Sequence, residues 1–181
     1  PMERLRDVIE RQVRRMARMI NDLLDVSRIT QGKMELRRAR VDLAQVIRQA
    51  AETARPQFDA RRQVFDVVLG SERLDVDADA VRLEQVFANL LDNASKFTPD
   101  GGHVWLAVER EDPLDATTPP LAVVRVRDDG MGLAPGMQSR IFDVFVQANQ
   151  PKDRVHGGLG LGLTLVTRLL EMHGGSVKVF S

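Results

Sequence analysis

Three polar side chains recur at helical spacing near the middle of the chain. Asn89, Asn93 and Lys96 are separated by four and then three residues, which places them on one face of a helix. Amide oxygens suit Mg²⁺, which prefers oxygen ligands and bridges phosphate groups, and the lysine ammonium is a point charge suited to phosphate. Taken alone, the pattern fits a magnesium–phosphate site and a solvated helix face equally well.

A second polar segment follows an apolar run directly. Residues 123–126 have the pattern of a strand, and the sequence DDGMG occupies residues 128–132. Glycine tolerates positive φ and lets the backbone approach a ligand closely. A carboxylate at Asp128 could accept a hydrogen bond from an adenine amine. A tight turn capped by the same aspartate is the alternative.

A third segment is rich in glycine and opens an apolar helix. Four of the six residues at 157–162 are glycine, and each glycine inside a helix costs roughly 1 kcal/mol. Free backbone N–H groups at a helix N-terminus bind anions. The segment lacks the Gly-Lys-Ser/Thr of a P-loop. We interpret it as a loop that holds phosphate.

The elements that carry these segments follow from periodicity and from boundary residues. Asp79 is suited to cap a helix that runs to about Phe97, and residues 98–102 form a turn. The pattern also indicates strands at 34–43, 64–69, 104–108 and 121–126, helices at 43–54 (ending at Pro56) and 162–172, and the beginning of a strand at 176–180. We therefore predict an α/β (α+β) sandwich, with helices on one face of a mixed sheet.

A long helix precedes this domain and ends at Gly32. Apolar residues alternate at spacings of four and three, which is typical of a helix that packs against partner helices. The seam comprises Leu5, Ile9, Met16, Met19, Leu23 and Val26, with Gln12 filling the one polar gap, and it is widened by Val8, Val13, Ile20 and Leu24. Its breadth suits a bundle. We predict a dimerisation helix whose partners are missing from the chain, come from another subunit, or both.

Composition narrows the classes of function. The 181 residues include no cysteine, which excludes disulfides and thiolate metal sites. Residues 1–62 carry 15 basic and 9 acidic side chains, whereas residues 63–181 carry 11 and 17. The basic residues of the first part alternate with acids along a helix and lack aromatic neighbours, so we predict no nucleic-acid partner. No apolar run is long enough to cross a bilayer.

Together, these segments resemble the ATP-binding domain of sensor histidine kinases, a branch of the ATPase group that includes gyrase, the Hsp90 chaperones and MutL. The likeness rests on four motifs in the family's order. They are the asparagine box (NLLDNASKF, 89–97), the first glycine box (DDGMG, 128–132), the phenylalanine box (IFDVF, 141–145) and the second glycine box (GLGLGL, 158–163). Residues 20–28 (INDLLDVSR) are similar to the second helix of the family's dimerisation and phosphotransfer hairpin.

The resemblance implies a Bergerat-type fold, with residues 1–32 as that hairpin helix and residues 33–181 as the ATP-binding catalytic domain. It implies that Asn93, helped by Asn89, holds Mg²⁺ against the phosphates of ATP. Residues 133–157 would form a lid. The other implied contacts are Lys96 to phosphate, Phe97 near adenine, Asp128 to the adenine amine, Gly130 and Gly132 beside the base, Phe142 and Phe145 anchoring the lid, Arg154 near the terminal phosphate, and the amides of Gly158, Leu159, Gly160, Leu161 and Gly162 around the phosphates.

Two departures from the family pattern bear on activity. The family's phosphoacceptor histidine lies on the first hairpin helix, whereas this sequence has only His103, His156 and His173. We predict a strand, a lid and a helix end for these three, with no acceptor role. We also expect the chain to be a fragment of a larger kinase, truncated before the family's last strands, that binds nucleotide without phosphorylating itself.

The resemblance also implies partners and a location. Phosphate would pass from ATP to a histidine and onward to an aspartate on the receiver domain of a response regulator, in a homodimer joined through the N-terminal helix. The chain would be cytoplasmic, in a parent protein that can be anchored in the bacterial inner membrane. An ATP-hydrolysing relative of gyrase or Hsp90 and a non-catalytic dimerisation module are the alternatives. The first would need a carboxylate base where Asn89 stands.

Overall fold

The computed structural model describes residues 2–113, 119–144, 146 and 159–181. The chain begins with helix α1 (Met2–Thr30), strand β1 (Ala39–Asp42) and helix α2 (Leu43–Ala60). Strands β2 (Val64–Leu69) and β3 (Asp75–Ala78) lead to helix α3 (Ala80–Phe97). Strands β4 (His103–Glu111) and β5 (Leu121–Asp128) precede helix α4 (Gly162–Met172). None of the helices in these ranges has an apolar stretch long enough to span a membrane.

The strands form two sheets, and the larger one is mixed. It has the order β2-β4-β5, with β2 parallel to β4 and β4 antiparallel to β5. The smaller sheet pairs β1 with β3 in antiparallel fashion. Because β2 and β4 are parallel, the chain must return to the starting edge of the sheet between them, and α3 is part of this crossover. The predicted sandwich of helices on a mixed sheet is therefore confirmed.

The core lies between the sheet and helices α2, α3 and α4. Alternate residues of β4 are buried, as expected for a strand with one face covered. Phe58 of α2 and Phe65 of β2 stack with ring centroids 4.2 Å apart. The largest fully buried side chains in this core are Phe58, Ile47, Leu91, Leu106, Leu165 and Leu169. These contacts fix α3 and α4, the two helices that carry site residues.

Three local predictions were wrong. Pro56 lies inside α2 and does not end it, because burying Phe58 against the sheet outweighs the hydrogen bond that proline removes. Residues 34–38 are irregular, and the strand is confined to Ala39–Asp42, where β3 supplies a partner. Residues 176–180 form no strand.

Helix α1 has one docked end and one exposed face. Asp25 is 8% exposed and accepts hydrogen bonds from Arg82 (2.8 Å) and Gln85 (2.9 Å) of α3. Burial, reinforced by the charge of Asp25, raises the pKa of Asp22. Among the side chains of α1 that the structure describes, six large apolar ones are exposed: Ile9, Val13, Met16, Ile20, Leu23 and Leu24. All six belong to the predicted seam.

Asp79 joins three parts of the fold at the start of α3. Its carboxylate accepts hydrogen bonds from the backbone N–H groups of Val81 (3.1 Å), Arg82 (3.2 Å) and Arg37 (2.9 Å). Its own N–H donates to Nε2 of His173, at the end of α4 (3.0 Å). Burial alone would raise the pKa of Asp79, but the three N–H donors outweigh it and lower that pKa.

Replacing Asp79 by alanine should lower the free energy of unfolding by about 1–2 kcal/mol at neutral pH, because a helix cap is lost. The folded-state pKa lies below the unfolded value of about 3.9. The carboxylate therefore stabilises the fold fully above that value, and this contribution is lost as pH falls through the folded-state pKa.

Urea unfolding at pH 7 and about pH 2.5 measures both effects. The control is Asp77→Ala, because Asp77 is an exposed aspartate of β3. If Asp79→Ala lowered the free energy of unfolding by the same amount at both pH values, this assignment would be contradicted.

Candidate functional site

Helix α3 presents the polar face predicted from its sequence. Its buried residues are Leu83, Val86, Phe87, Leu91, Ala94 and Ser95. Asn89, Asn93 and Lys96 are half-buried. The Lys96 ammonium lies 4.8 Å from the centre of the Phe97 ring. The core contacts thus orient α3 so that both amides and the ammonium remain accessible to a ligand.

The second glycine box meets the first part of this face. A Cβ placed on Gly162 would lie 3.3 Å from Oδ1 of Asn89, so glycine permits a close approach of α4 to α3. Gly160 has φ +72°, which favours glycine. Leu161, the N-cap residue of α4, makes no side-chain capping bond, and a helix N-terminus leaves its first N–H groups without intrahelical partners. These amides are suited to an anion.

The first glycine box meets the other end of α3. The Asp128 carboxylate accepts a hydrogen bond from the backbone N–H of Gly130 (2.9 Å). A Cβ on Gly130 would lie only 2.7 Å from the carbonyl oxygen of Phe97. Gly132 has φ +65°, which a side chain would strain. Glycine at 130 is thus required for the loop to pass the end of α3.

The two glycine boxes therefore touch α3 at separate points, Asn89 and Phe97. Eight residues of helix correspond to roughly 12 Å of axial rise. Asn93 and Lys96 lie along α3 between these points, and α3 packs against both α4 and β5. The structure thus brings together three segments that are distant in sequence.

Part of the phenylalanine box is tied to α4. Phe142 is half-buried, and its carbonyl oxygen accepts a hydrogen bond from the Thr164 hydroxyl (3.0 Å). Leu159 is 40% exposed and Leu161 is 2% exposed. Three residues named from the sequence, Phe145, Arg154 and Gly158, lie outside the described residues.

The residues present fit a magnesium-bound nucleotide on three counts. Asn89 and Asn93 supply neutral oxygen donors of the kind that Mg²⁺ accepts. The uncapped start of α4 offers N–H groups to phosphate. At the other end of α3, the Thr98 hydroxyl is fully buried and has no hydrogen-bond partner in the described part of the chain. A buried water bound at this hydroxyl would supply that partner.

Neither described histidine has the surroundings of a phosphoacceptor. His103, on β4, contacts Asp66 at 2.7 Å and stacks on Trp105. His173 donates from Nδ1 to the Leu169 carbonyl oxygen (2.7 Å) and accepts at Nε2 from Asp79. His156 lies outside the described residues. His173 has a structural role that the sequence did not indicate.

Sequence reasoning also missed Gln63, which is 5% exposed. Its amide bonds to Ser95 and Thr98 at the end of α3. A polar residue immediately before an apolar strand gives no sign of this contact.

Comparison with known proteins gives the same family. A family model described as histidine kinase-, DNA gyrase B- and HSP90-like ATPase matches residues 78–181. The alginate biosynthesis sensor protein KinB of Pseudomonas aeruginosa is 34% identical over 173 residues, covering 96% of this chain and 27% of KinB. The hybrid signal transduction histidine kinase D of Dictyostelium discoideum is 34% identical over 173 residues, covering 96% of this chain and 11% of the relative.

Solved structures support the fold. Full-length ShkA in complex with AMPPNP superimposes with a TM-score of 0.75 at 32% identity, covering 92% of this chain and 33% of ShkA. The chain therefore spans only a minor part of the length of KinB, of histidine kinase D and of ShkA.

Proposed function

Because the chain belongs to the histidine kinase-, DNA gyrase B- and HSP90-like ATPase family, and within it to the sensor histidine kinases, we propose that it binds ATP with Mg²⁺ and transfers the γ-phosphoryl group to a histidine. The supporting observation is the approach of both glycine boxes to one polar face of α3, at Asn89 and at Phe97. In this proposal, residues 1–32 are the second helix of the dimerisation hairpin and residues 33–181 are the catalytic domain.

Asn93 and Asn89 hold the metal in this scheme. Bound Mg²⁺ supplies neutralisation of phosphate charge and a fixed phosphate geometry, which account for most of the catalysis in phosphoryl transfer. Lys96 adds a positive charge on the same face of α3. The proposal assigns Arg154, outside the described residues, to the terminal phosphate, and the N–H groups of 158–162 to the other phosphate oxygens.

The base lies at the opposite end of α3. Asp128 accepts a hydrogen bond from the adenine amine, which favours adenine over guanine because guanine presents a carbonyl there. Phe97 packs beside the ring, while Gly130 and Gly132 let the backbone pass close to it. In this proposal residues 133–157 are a lid that Phe142 and Phe145 anchor, and the hydrogen bond from Thr164 to the Phe142 carbonyl oxygen supports the role of Phe142.

We also propose partners and a location for the chain. The six exposed apolar side chains of α1 pack against a second copy of the chain, since a stripe of this breadth suits a helical bundle. The receiver domain of a response regulator then takes the phosphoryl group from histidine. The chain acts in the cytoplasm, within a parent protein that can be anchored in the inner membrane.

Hydrolysis of ATP by water is the alternative. It needs a general base where Asn89 stands, and an amide cannot take a proton. Glu84 does not replace it, since it lines a different groove together with Val46 and Val81. The residues of α3 therefore favour transfer to histidine over hydrolysis.

Titration with ATP in the presence and absence of Mg²⁺ tests the proposal. We expect saturable binding that weakens by about tenfold or more when Mg²⁺ is removed, because phosphate charge is then left unscreened. Steady-state phosphate release should stay at the level of a sample without protein. No binding would indicate the dimerisation module, and sustained phosphate release would indicate an ATPase.

A further inference from the structure

The turn between α2 and β2 is bonded along its length to the end of α3. The Arg61 carbonyl oxygen accepts a hydrogen bond from the N–H of Gly101 (3.0 Å), and the N–H of Val64 donates to the Gly102 carbonyl oxygen (2.8 Å). The Arg61 guanidinium donates to the Asp100 carboxylate (3.0 Å) and to the Ser95 carbonyl oxygen. Residues 61–64 thus hold residues 95–102.

Gln63 is the buried centre of this contact. Its Nε2 donates to the carbonyl oxygens of Ser95 (2.9 Å), Thr98 (2.9 Å) and Pro99 (3.2 Å). Its Oε1 accepts a hydrogen bond from the Ser95 hydroxyl (2.8 Å). Carbonyl groups at a helix C-terminus have no partner within the helix, and a buried carbonyl left unpaired is costly. Gln63 therefore holds the backbone at the end of α3 in place.

The backbone that Gln63 holds also faces the first glycine box. Phe97 lies between Ser95 and Thr98, and its carbonyl oxygen would be 2.7 Å from a Cβ on Gly130. A Cβ on Gly102 would lie 2.7 Å from the Asp129 carboxylate, and that carboxylate in turn accepts from the N–H of His103 (2.8 Å). With so little space, a displacement of Phe97 must move the loop that carries Asp128.

We propose that Gln63 is a positioning residue of the nucleotide site, which sets the gap between Phe97 and Asp128 and so the selectivity for adenine. This inference rests on the proposed function. Gln63 does not contact the nucleotide; it acts through the backbone at 95–98. Ser95, fully buried and bonded to Oε1 of Gln63, shares this role to a smaller extent.

The test is the ratio of ATP to GTP affinity in Gln63→Met, which keeps the side-chain length and removes the hydrogen bonds. We expect ATP affinity to fall about tenfold with little change for GTP, because buried carbonyls are left unpaired and the loop shifts. Gln49→Met, an exposed glutamine of α2, is the matched control and should keep the wild-type ratio. If Gln63 had only a structural role, the apparent affinities for ATP and GTP would fall equally, because a smaller fraction of the protein would be folded.

If Gln63→Met does not fold, the same measurement is made on Ser95→Ala. This substitution removes one hydrogen bond, and we expect a change of about threefold in the same ratio. An unchanged ratio in the folded variants, with wild type preferring ATP, would overturn the role of Gln63. Failure of the wild-type chain to bind either nucleotide would instead overturn the proposed function.

Discussion

Replacing Asn93 by alanine should abolish Mg²⁺-dependent binding of ATP while leaving the chain folded. Asn93 is half-buried on the polar face of α3, between the points where the two glycine boxes touch the helix. The substitution removes the proposed metal ligand and no core contact. Because even outer-shell partners of a metal contribute about 10–100-fold to its affinity, we expect at least a hundredfold loss with Mg²⁺ present. Calorimetric titration of ATP measures it.

Asn21→Ala is the matched control for this substitution. Asn21 is an exposed asparagine of α1, outside the proposed site, and its replacement should leave ATP affinity unchanged. Thermal unfolding of Asn93→Ala should match wild type within experimental error. Retention of wild-type affinity, with the same dependence on Mg²⁺, would show that Asn93 is not a metal ligand.

The second large effect is expected at Asp128. Asp128→Asn keeps the shape of the side chain but replaces one carboxylate oxygen by an NH₂ group, which cannot accept a hydrogen bond from adenine. Hydrogen bonds to charged groups contribute about 1.5–3 kcal/mol, so ATP affinity should fall about 10–100-fold. Affinity for GTP should change less. Competition between the two nucleotides at fixed Mg²⁺ measures the ratio.

Asp59→Asn, an exposed aspartate near the end of α2, controls for the loss of one negative charge. It should leave both affinities unchanged. Because Asp128 also accepts from the N–H of Gly130, rotation of the new amide could restore that bond, so the fold should survive. Equal ATP affinity in Asp128→Asn and wild type would count against base recognition by this residue.

Local signals in the sequence predicted much of the fold. The bounds of α3 follow from Asp79, whose carboxylate caps the helix, and from the turn residues after Phe97. The bounds of β2 follow from an apolar run that only Asp66 interrupts. By contrast, Pro56 was expected to end α2, and the burial of Phe58 against the sheet overrides that local preference. Strand β3 was missed because it has only four residues and two of them, Asp75 and Asp77, are of a type that is depleted in strands. It forms through pairing with β1.

The candidate site also combines residues that a local sequence pattern indicates with residues that it does not. Asn89, Asn93 and Lys96 could be proposed from the sequence because helical spacing alone places them on one face. The glycine boxes could be proposed because their composition is unfavourable without a ligand or a close approach. Gln63, His173 and the pair of Asp25 with Arg82 were not found, since each depends on a contact between segments at least 32 residues apart. No local pattern encodes such contacts.

In the proposed function, Asn93, Asp128 and the second glycine box surround a single metal-bound nucleotide. Anomalous diffraction from crystals of the chain with Mn²⁺ and a non-hydrolysable ATP analogue tests it most directly. We expect one Mn²⁺ peak within coordination distance of the Asn93 amide oxygen, with the adenine amine at Asp128 and the phosphates at the start of α4. A Mn²⁺–nucleotide complex bound elsewhere, with none of these contacts, would contradict it.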